Sequence, residues 1–320
     1  MPQLSRKKYP QEQLIADIMA GTSFVKVKPE NIGDLIYFDS TNPKAAGKDP
    51  AEYARRRKKT LIIGAAALVL IWAVTLLFSR DYLFWPIVLT VIDLVAVFSI
   101  AVNQSFTGTD YFVGTEGFAE YEFKGSRENV EKSECRFDED TVLILHEAKV
   151  YKKDSYDHTK YNFVVLGKPD SIGSAKPLFK RIGSYKYWVK DGNCRQAGLD
   201  FMYHVEKQLT TLVLDNAHRK LDAGEEVLFR TVSREKPGSD DWAYGDVIGL
   251  SPDAIRFCGE VFEGESLRQI KVKDSNLVFK SRELASGVFG RRTGDKVRVP
   301  LDSVGNLKAF LILLNKLYGI

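Results

Sequence analysis

Asp93 is the residue in this chain whose chemical setting is least ordinary. It sits near the middle of Phe84–Val102, a run with no other charge, and the preceding run, Thr60–Phe78, has none at all. An ionised carboxylate at the depth of a bilayer core is costly, so such a group is either protonated or held by a partner. Thr90, one helical turn back, and Trp72, on the facing run, are the polar side chains expected near it. The facing depth falls near Val69 to Trp72, which offers no Lys, Arg or His. Two chemistries follow. A neutral Asp93 would hydrogen-bond within a helix bundle or across a homo-oligomer interface. An exchanging Asp93 would be the proton or ion site of a small transport or channel component, although such paths usually hold more than one polar group.

Clustered cations offer a second chemistry, attraction to anionic surfaces. Arg55, Arg56, Arg57, Lys58 and Lys59 stand directly before the first apolar run, where they suit lipid headgroups and set topology. Lys152, Lys153 and Lys160, with His158, flank one polar turn; Arg291, Arg292 and Lys296 flank another at Thr293-Gly294-Asp295. Both turns carry acids as well, Asp154 and Asp157 in the first and Asp295 in the second, so a solvated hairpin tip is the simpler reading. Lys176, Lys180, Arg181 and Lys186 form a further positive stretch. With 46 bases against 42 acids spread along 320 residues, no nucleic-acid partner is expected.

Catalysis finds little footing. His146, His158, His204 and His218 show no HxxxH or HExxH spacing, and no cysteine lies at ligand distance in sequence. Gly290–Lys296 has the look of a phosphate loop but lacks the Gly-Lys-Ser/Thr ending and leads into a strand pattern. The expectation is a protein that is not an enzyme, with no catalytic residue, metal or cofactor.

The elements that place Asp93 are the two apolar runs. Each matches the ~30 Å hydrocarbon thickness at ~1.5 Å per residue, and Ser79–Leu83 leaves room only for an antiparallel hairpin. Each Leu, Ile, Phe or Val in the second run contributes about −0.3 to −0.6 kcal/mol to insertion against about +2.5 to +3.5 for a central Asp. The balance remains favourable, so the lipid bilayer is the expected partner. The basic run before the first span puts the amino-terminal side in the cytoplasm, and a hairpin returns the rest there too. The expected location is the plasma (inner) membrane, with two spans and both termini cytoplasmic. Cys135, Cys194 and Cys258, odd in number and without a CxxC pair, agree with a reducing compartment.

Residues 1–59 read as a polar cytoplasmic tail, partly docked, with a short helix at Gln11–Ala20, a brief strand at Phe24–Lys28 and an apolar patch at Leu35–Phe38. Residues 60–103 are the hairpin, spanning at 60–78 and 84–102. Beyond it, short strands are predicted at Tyr111–Val113, Gly117–Phe123, Thr141–His146, Lys149–Tyr151, Tyr161–Leu166, Leu178–Ile182 and Tyr185–Val189. Leu199, Met202, Val205, Leu209, Leu212 and Val213 then recur at helical spacing. The scheme repeats with strands at Val227–Val232, Ala243–Leu250, Ala254–Cys258, Leu267–Val272, Asn276–Lys280 and Lys296–Val299. A last helix, capped by Asp302 or Ser303, points Leu307, Phe310, Leu311, Leu314 and Leu317 inward. The predicted fold class is α+β: the hairpin, then two small β-barrel or curled-sheet domains, 108–223 and 224–320, each closed by a carboxy-terminal helix.

Strands followed by one terminal helix resemble the pleckstrin-homology-like (PH-like) fold. Residues 108–320 are similar to a bacterial membrane-protein family of unknown function with two such domains. Its first domain opens on a Tyr/Phe-rich hairpin like Tyr111–Phe123. Its second carries a strand–turn–strand like Gly245-Asp-Val-Ile-Gly-Leu-Ser-Pro-Asp-Ala-Ile255, with Ala254 where glycine is usual, and ends like Pro300 through Phe310. The resemblance implies a fold and no catalytic residues. The functional expectation is a membrane-anchored binding or scaffolding protein that engages a protein, peptide or anionic lipid surface, an open sheet edge being one place to do so.

Overall fold

The computed structural model of the chain describes residues 24–25, 28–41, 50–78, 84–103, 107–125, 128–170, 173–186, 197–235, 241–280, 291–293 and 296–320. The expectations for Gln11–Ala20, for the Ser79–Leu83 turn, for Val189, for the Gly294–Asp295 turn positions and for Cys194 fall outside these residues. Contacts divide the chain into two compact units: the chain up to Gly114 with Phe118–Glu134, and Thr115–Gly117 with Cys135–Ile320.

The first unit holds helices α1 (Pro50–Phe78) and α2 (Phe84–Asn103). Both are long and apolar enough to cross a membrane. Helix α1 begins well ahead of the apolar run, since proline fits a first helical turn and Glu52 favours a helix amino end. Arg55 to Lys59 are therefore helical. Most of the apolar surface of the pair is bare: Val69 is 71% exposed and Leu77 77%. What is buried forms one seam, with Gly64 and Thr75 on α1 and Pro86 and Ala101 on α2. A methyl group at Gly64 would stand 2.3 Å from Val97 Cγ2, so glycine is what allows the helices to approach this closely.

A four-stranded antiparallel sheet completes this region: β1 (Leu35–Ser40), β2 (Thr107–Gly114), β3 (Gly117–Lys124) and β4 (Val130–Arg136), in that order. The predicted hairpin is present, with Val113 opposite Phe118. The apolar patch at Leu35–Phe38 is its edge strand, paired with β2. The segment before β1 is docked as well. Phe24 stacks on Phe123 at 5.0 Å, and the fully buried Asp110 accepts hydrogen bonds from the N–H groups of Phe24 (2.7 Å) and Val25 (3.0 Å). Tyr53 of α1 packs on the same aromatic core.

In the second unit, β5 (Val142–Lys152), β6 (Ser155–Leu166), β7 (Ser174–Ala175) and β8 (Pro177–Tyr185) precede helix α3 (Ala197–Asp222). Strands β5, β6 and β8 make one antiparallel sheet with β6 central. Its ribbon is longer than predicted. The tip shrinks to Lys153-Asp154, both at positive φ (48° and 63°), a two-residue turn whose twist matches the strands it joins. Lys152 and Lys160 are consequently strand residues. The first half of α3 covers this sheet through Leu199, Phe201, Met202, Val205 and Leu209. Val213, Ala217 and Leu221 in its second half belong instead to the next core.

That core lies under β9 (Val227–Arg234), β10 (Trp242–Ser251), β11 (Ala254–Phe257) and β12 (Glu260–Glu263). Short helix α4 (Gly264–Leu267) follows, then β13 (Lys271–Lys273), β14 (Asn276–Lys280), β15 (Arg291–Thr293) and β16 (Lys296–Pro300). The strand predicted at Leu267–Val272 is thus shorter and starts later. Helix α5 (Leu307–Tyr318) inserts Phe310, Leu313 and Leu314, all fully buried, against Phe229, Ile248, Phe257 and Val299. Asn306, at φ 54°, precedes it in place of the predicted Asp302 or Ser303 cap. Among the described residues the four sheets are open and none closes into a barrel. The architecture is a mixed α+β fold, two apolar helices followed by antiparallel sheets.

Candidate functional site

The most distinctive surface grows out of simple strand alternation. In β14 and β16, Leu277, Phe279, Val297 and Val299 point into the core and are essentially fully buried. The intervening side chains must face outward. Lys271 and Lys273 on β13, Val278 and Lys280 on β14, and Arg298 on β16 stand on that outer face. The ladder fixes their rows: Lys271 lies opposite Val278, and Val278 opposite Arg298. With Arg268 and Gln269 these five line a groove of about 400 Å³. No lining residue is acidic. Arg268 reaches an exposed acid outside the groove, Glu265, at 2.9 Å. Among the described residues, no ion pair is formed by Lys271, Lys273, Lys280 or Arg298.

This group differs from the cations singled out by sequence. The backbones of Arg291, Arg292 and Lys296 lie in β15 and β16, with Arg291 opposite Arg298 and Lys296 opposite Lys280; their side chains fall outside the described set. The signal for the outer face was present as alternation: Val278-Phe-Lys280 and Val297-Arg298-Val299 each place a cation one step from a core residue, and Lys271 follows the buried Ile270. Reading turns for charge and strands for burial separated two halves of one pattern.

At the other predicted tip the charges are matched. Asp157 accepts from Lys152 at 2.8 Å and from His158 Nδ1 at 3.0 Å, with Lys186 at 3.7 Å. The Lys152 hydrogen bond, seconded by His158, holds the Asp157 carboxyl down at about 2. Lys153 occupies the turn, and Lys160 is exposed on β6 opposite Ala148 and Ser184. Arg55 to Lys59 are exposed on α1, Arg56 pairing with Glu52 at 2.5 Å.

Asp93 lies in the seam of α1 and α2. It is half-buried, and its Oδ2 is buried with no hydrogen-bond partner among the described residues. Thr90 does not serve it, because its hydroxyl donates to the Pro86 carbonyl at 2.8 Å. Trp72 is 39% exposed on the flank of α1 and forms no described bond to Asp93. The close approach of Gly64 to Val97 fixes the two helices against each other one turn beyond Asp93.

Strand β5 is an edge. Its start is engaged, Leu143 and Asn306 exchanging hydrogen bonds, but no described partner takes the outward backbone groups farther along at Leu145, Glu147 and Lys149. Cys135 and Cys258 are free thiols, pushed up to about 11 and about 12 by burial, which keeps them unreactive. Compared with known proteins, the chain matches no family model, no curated protein and no solved structure.

Proposed function

We propose that the chain is a membrane-anchored, non-catalytic binding protein. Helices α1 and α2 hold it in the plasma (inner) membrane, and the sheets that follow engage a protein, a peptide or an anionic lipid surface from the cytoplasmic side. Within this reading the strands closed by α3 and by α5 are PH-like modules, opened at their edges. The observation that carries the proposal is the bare apolar surface of α1 and α2, where residues such as Leu76, Val95 and Phe98 are 66%, 61% and 72% exposed. In water that surface costs about 25 cal/mol per Å², so it calls for lipid. Arg55 to Lys59 orient the anchor by the excess of basic residues on the cytoplasmic side. Confinement at a bilayer raises effective concentration, so weak contacts at an open edge or charged face suffice. Alkaline carbonate extraction of native membranes, followed by cross-linking and detergent purification of the full-length chain, tests this. Retention in the membrane pellet with a cross-linked partner or lipid is expected. A chain released by carbonate without detergent would refute it.

A second reading has its own support in the buried Asp93 oxygen. A transport or channel component would use that carboxyl as an intramembrane proton or ion site. Liposomes containing the full-length chain would then pass protons, and Asp93→Asn would abolish the flux. Equal leak in both proteins would remove the transport reading.

A further inference from the structure

We infer that the outer face of β13, β14 and β16 is a docking surface for anionic lipid headgroups of the bilayer that α1 and α2 occupy. The inference rests on the anchored reading and names the site and ligand class within it. Three features of the face select the ligand. Lys271, Lys273, Lys280, Arg298 and Arg268 line the groove with no acid among them, so the groove favours a ligand of opposite charge. The four strand cations are spread over three strands, about 10 Å across at about 4.8 Å per strand, rather than aimed at one point. That spread suits an array of headgroups better than a single small anion. The one apolar lining side chain is Val278, and no aromatic ring is present to stack a nucleobase.

Chain connectivity supplies the rest. Unit two is covalently tied to the helices, so once they span a bilayer a cationic face on it meets headgroups at a raised effective concentration. Each well-placed Lys or Arg then strengthens attachment roughly fivefold at physiological ionic strength. Lys271 and Arg298 stand in one row on either side of Val278, two strands apart, so their positive charges add along the same face.

Lysine footprinting of the full-length chain in nanodiscs decides the matter. Acetylation rates at Lys271, Lys273 and Lys280 are read by mass spectrometry in discs of phosphatidylcholine alone and in discs containing phosphatidylglycerol. Lys207 and Lys308 on α3 and α5 serve as internal references. Protection of the three lysines by at least fivefold in anionic discs, lost at high salt, is expected. Arg298→Glu should reduce that protection several-fold while leaving the references unchanged. Equal rates in the two discs would overturn the inference and leave the anchor standing. Protection in neutral discs by inorganic phosphate, or by a short duplex DNA but not by lipid, would overturn it in favour of that ligand. A chain that fails to enter nanodiscs at all would remove the anchored reading itself.

Discussion

Asn306 and Leu143, 163 positions apart, bind each other twice: the Leu143 N–H donates to Asn306 Oδ1 at 2.9 Å, and the Asn306 N–H donates to the Leu143 carbonyl at 2.9 Å. The Asn306 side-chain amide also donates to the Thr141 carbonyl at 3.0 Å. One residue thus fastens the start of β5 to the start of α5 while holding a left-handed backbone (φ 54°) that asparagine tolerates. Two partially buried partners left unsatisfied cost about 1 kcal/mol or more each, and left-handed alanine adds about 1. Asn306→Ala should therefore destabilise the second unit by about 3 kcal/mol, and Asn306→Gly by about 1 kcal/mol less. Urea unfolding of the detergent-solubilised chain, followed by near-ultraviolet circular dichroism, measures both. Equal losses in the two variants would remove the backbone from the argument, and no loss in either would remove the clamp.

Gly64 and Val97 set the spacing of the apolar pair. A Cβ on Gly64 meets both Val97 methyls, at 2.3 and 3.1 Å, and valine in a helix has little rotamer freedom with which to yield. Gly64→Ala should weaken α1–α2 association by about 1–3 kcal/mol, the usual penalty of overpacking. Trimming the facing side chain should restore room. The double variant Gly64→Ala/Val97→Ala is expected to recover at least half the loss, a coupling visible in a double-mutant cycle of detergent-induced unfolding. Strict additivity would mean the helices do not meet at this point.

The two contacts also show where sequence reading succeeds and stops. Local pattern was enough for the apolar runs, by length and hydropathy, for the β2–β3 hairpin, by its turn, and for β9, β14 and β16, where burial alternates. It was not enough for Asn306, whose value lies in Leu143 and Thr141, far away in sequence. Asp110 was overlooked for the same reason: its partners, Phe24 and Val25, are 86 and 85 positions away. Helix α3 was read as the end of one domain because a stripe cannot reveal that its two halves serve two cores. The basic sheet face was passed over because its cations come from three strands whose pairing, not their spacing, brings them together. Asp93 was conspicuous from composition alone, but the depth of its neighbours depended on the register that Gly64 permits.

Acid should act on Asp157 in a direction the geometry specifies. Hydrogen bonds from Lys152 and then His158 lower its carboxyl from an ordinary 3.8 to about 2. The folded state therefore holds the proton less tightly than the unfolded chain. The resulting stabilisation is complete above about pH 4 and is lost as pH falls from there toward 2. Asp157→Asn, which removes the charge, should melt lower than the natural chain by a constant interval at neutral pH. That interval should shrink below pH 4 and vanish near 2. Because the contacts are exposed, it should also be small and should fade in high salt. Paired thermal melts across pH, with a carbon-13 titration of the Asp157 carboxyl, give two independent readings of the same shift. A carboxyl midpoint near 4, or an interval that widens in acid, would show that Lys152 and His158 do not hold it. The same variant frees Lys152 from its acid. If this tip, rather than the acid-free face of β13, β14 and β16, were the lipid-facing surface, Asp157→Asn would strengthen attachment to anionic membranes.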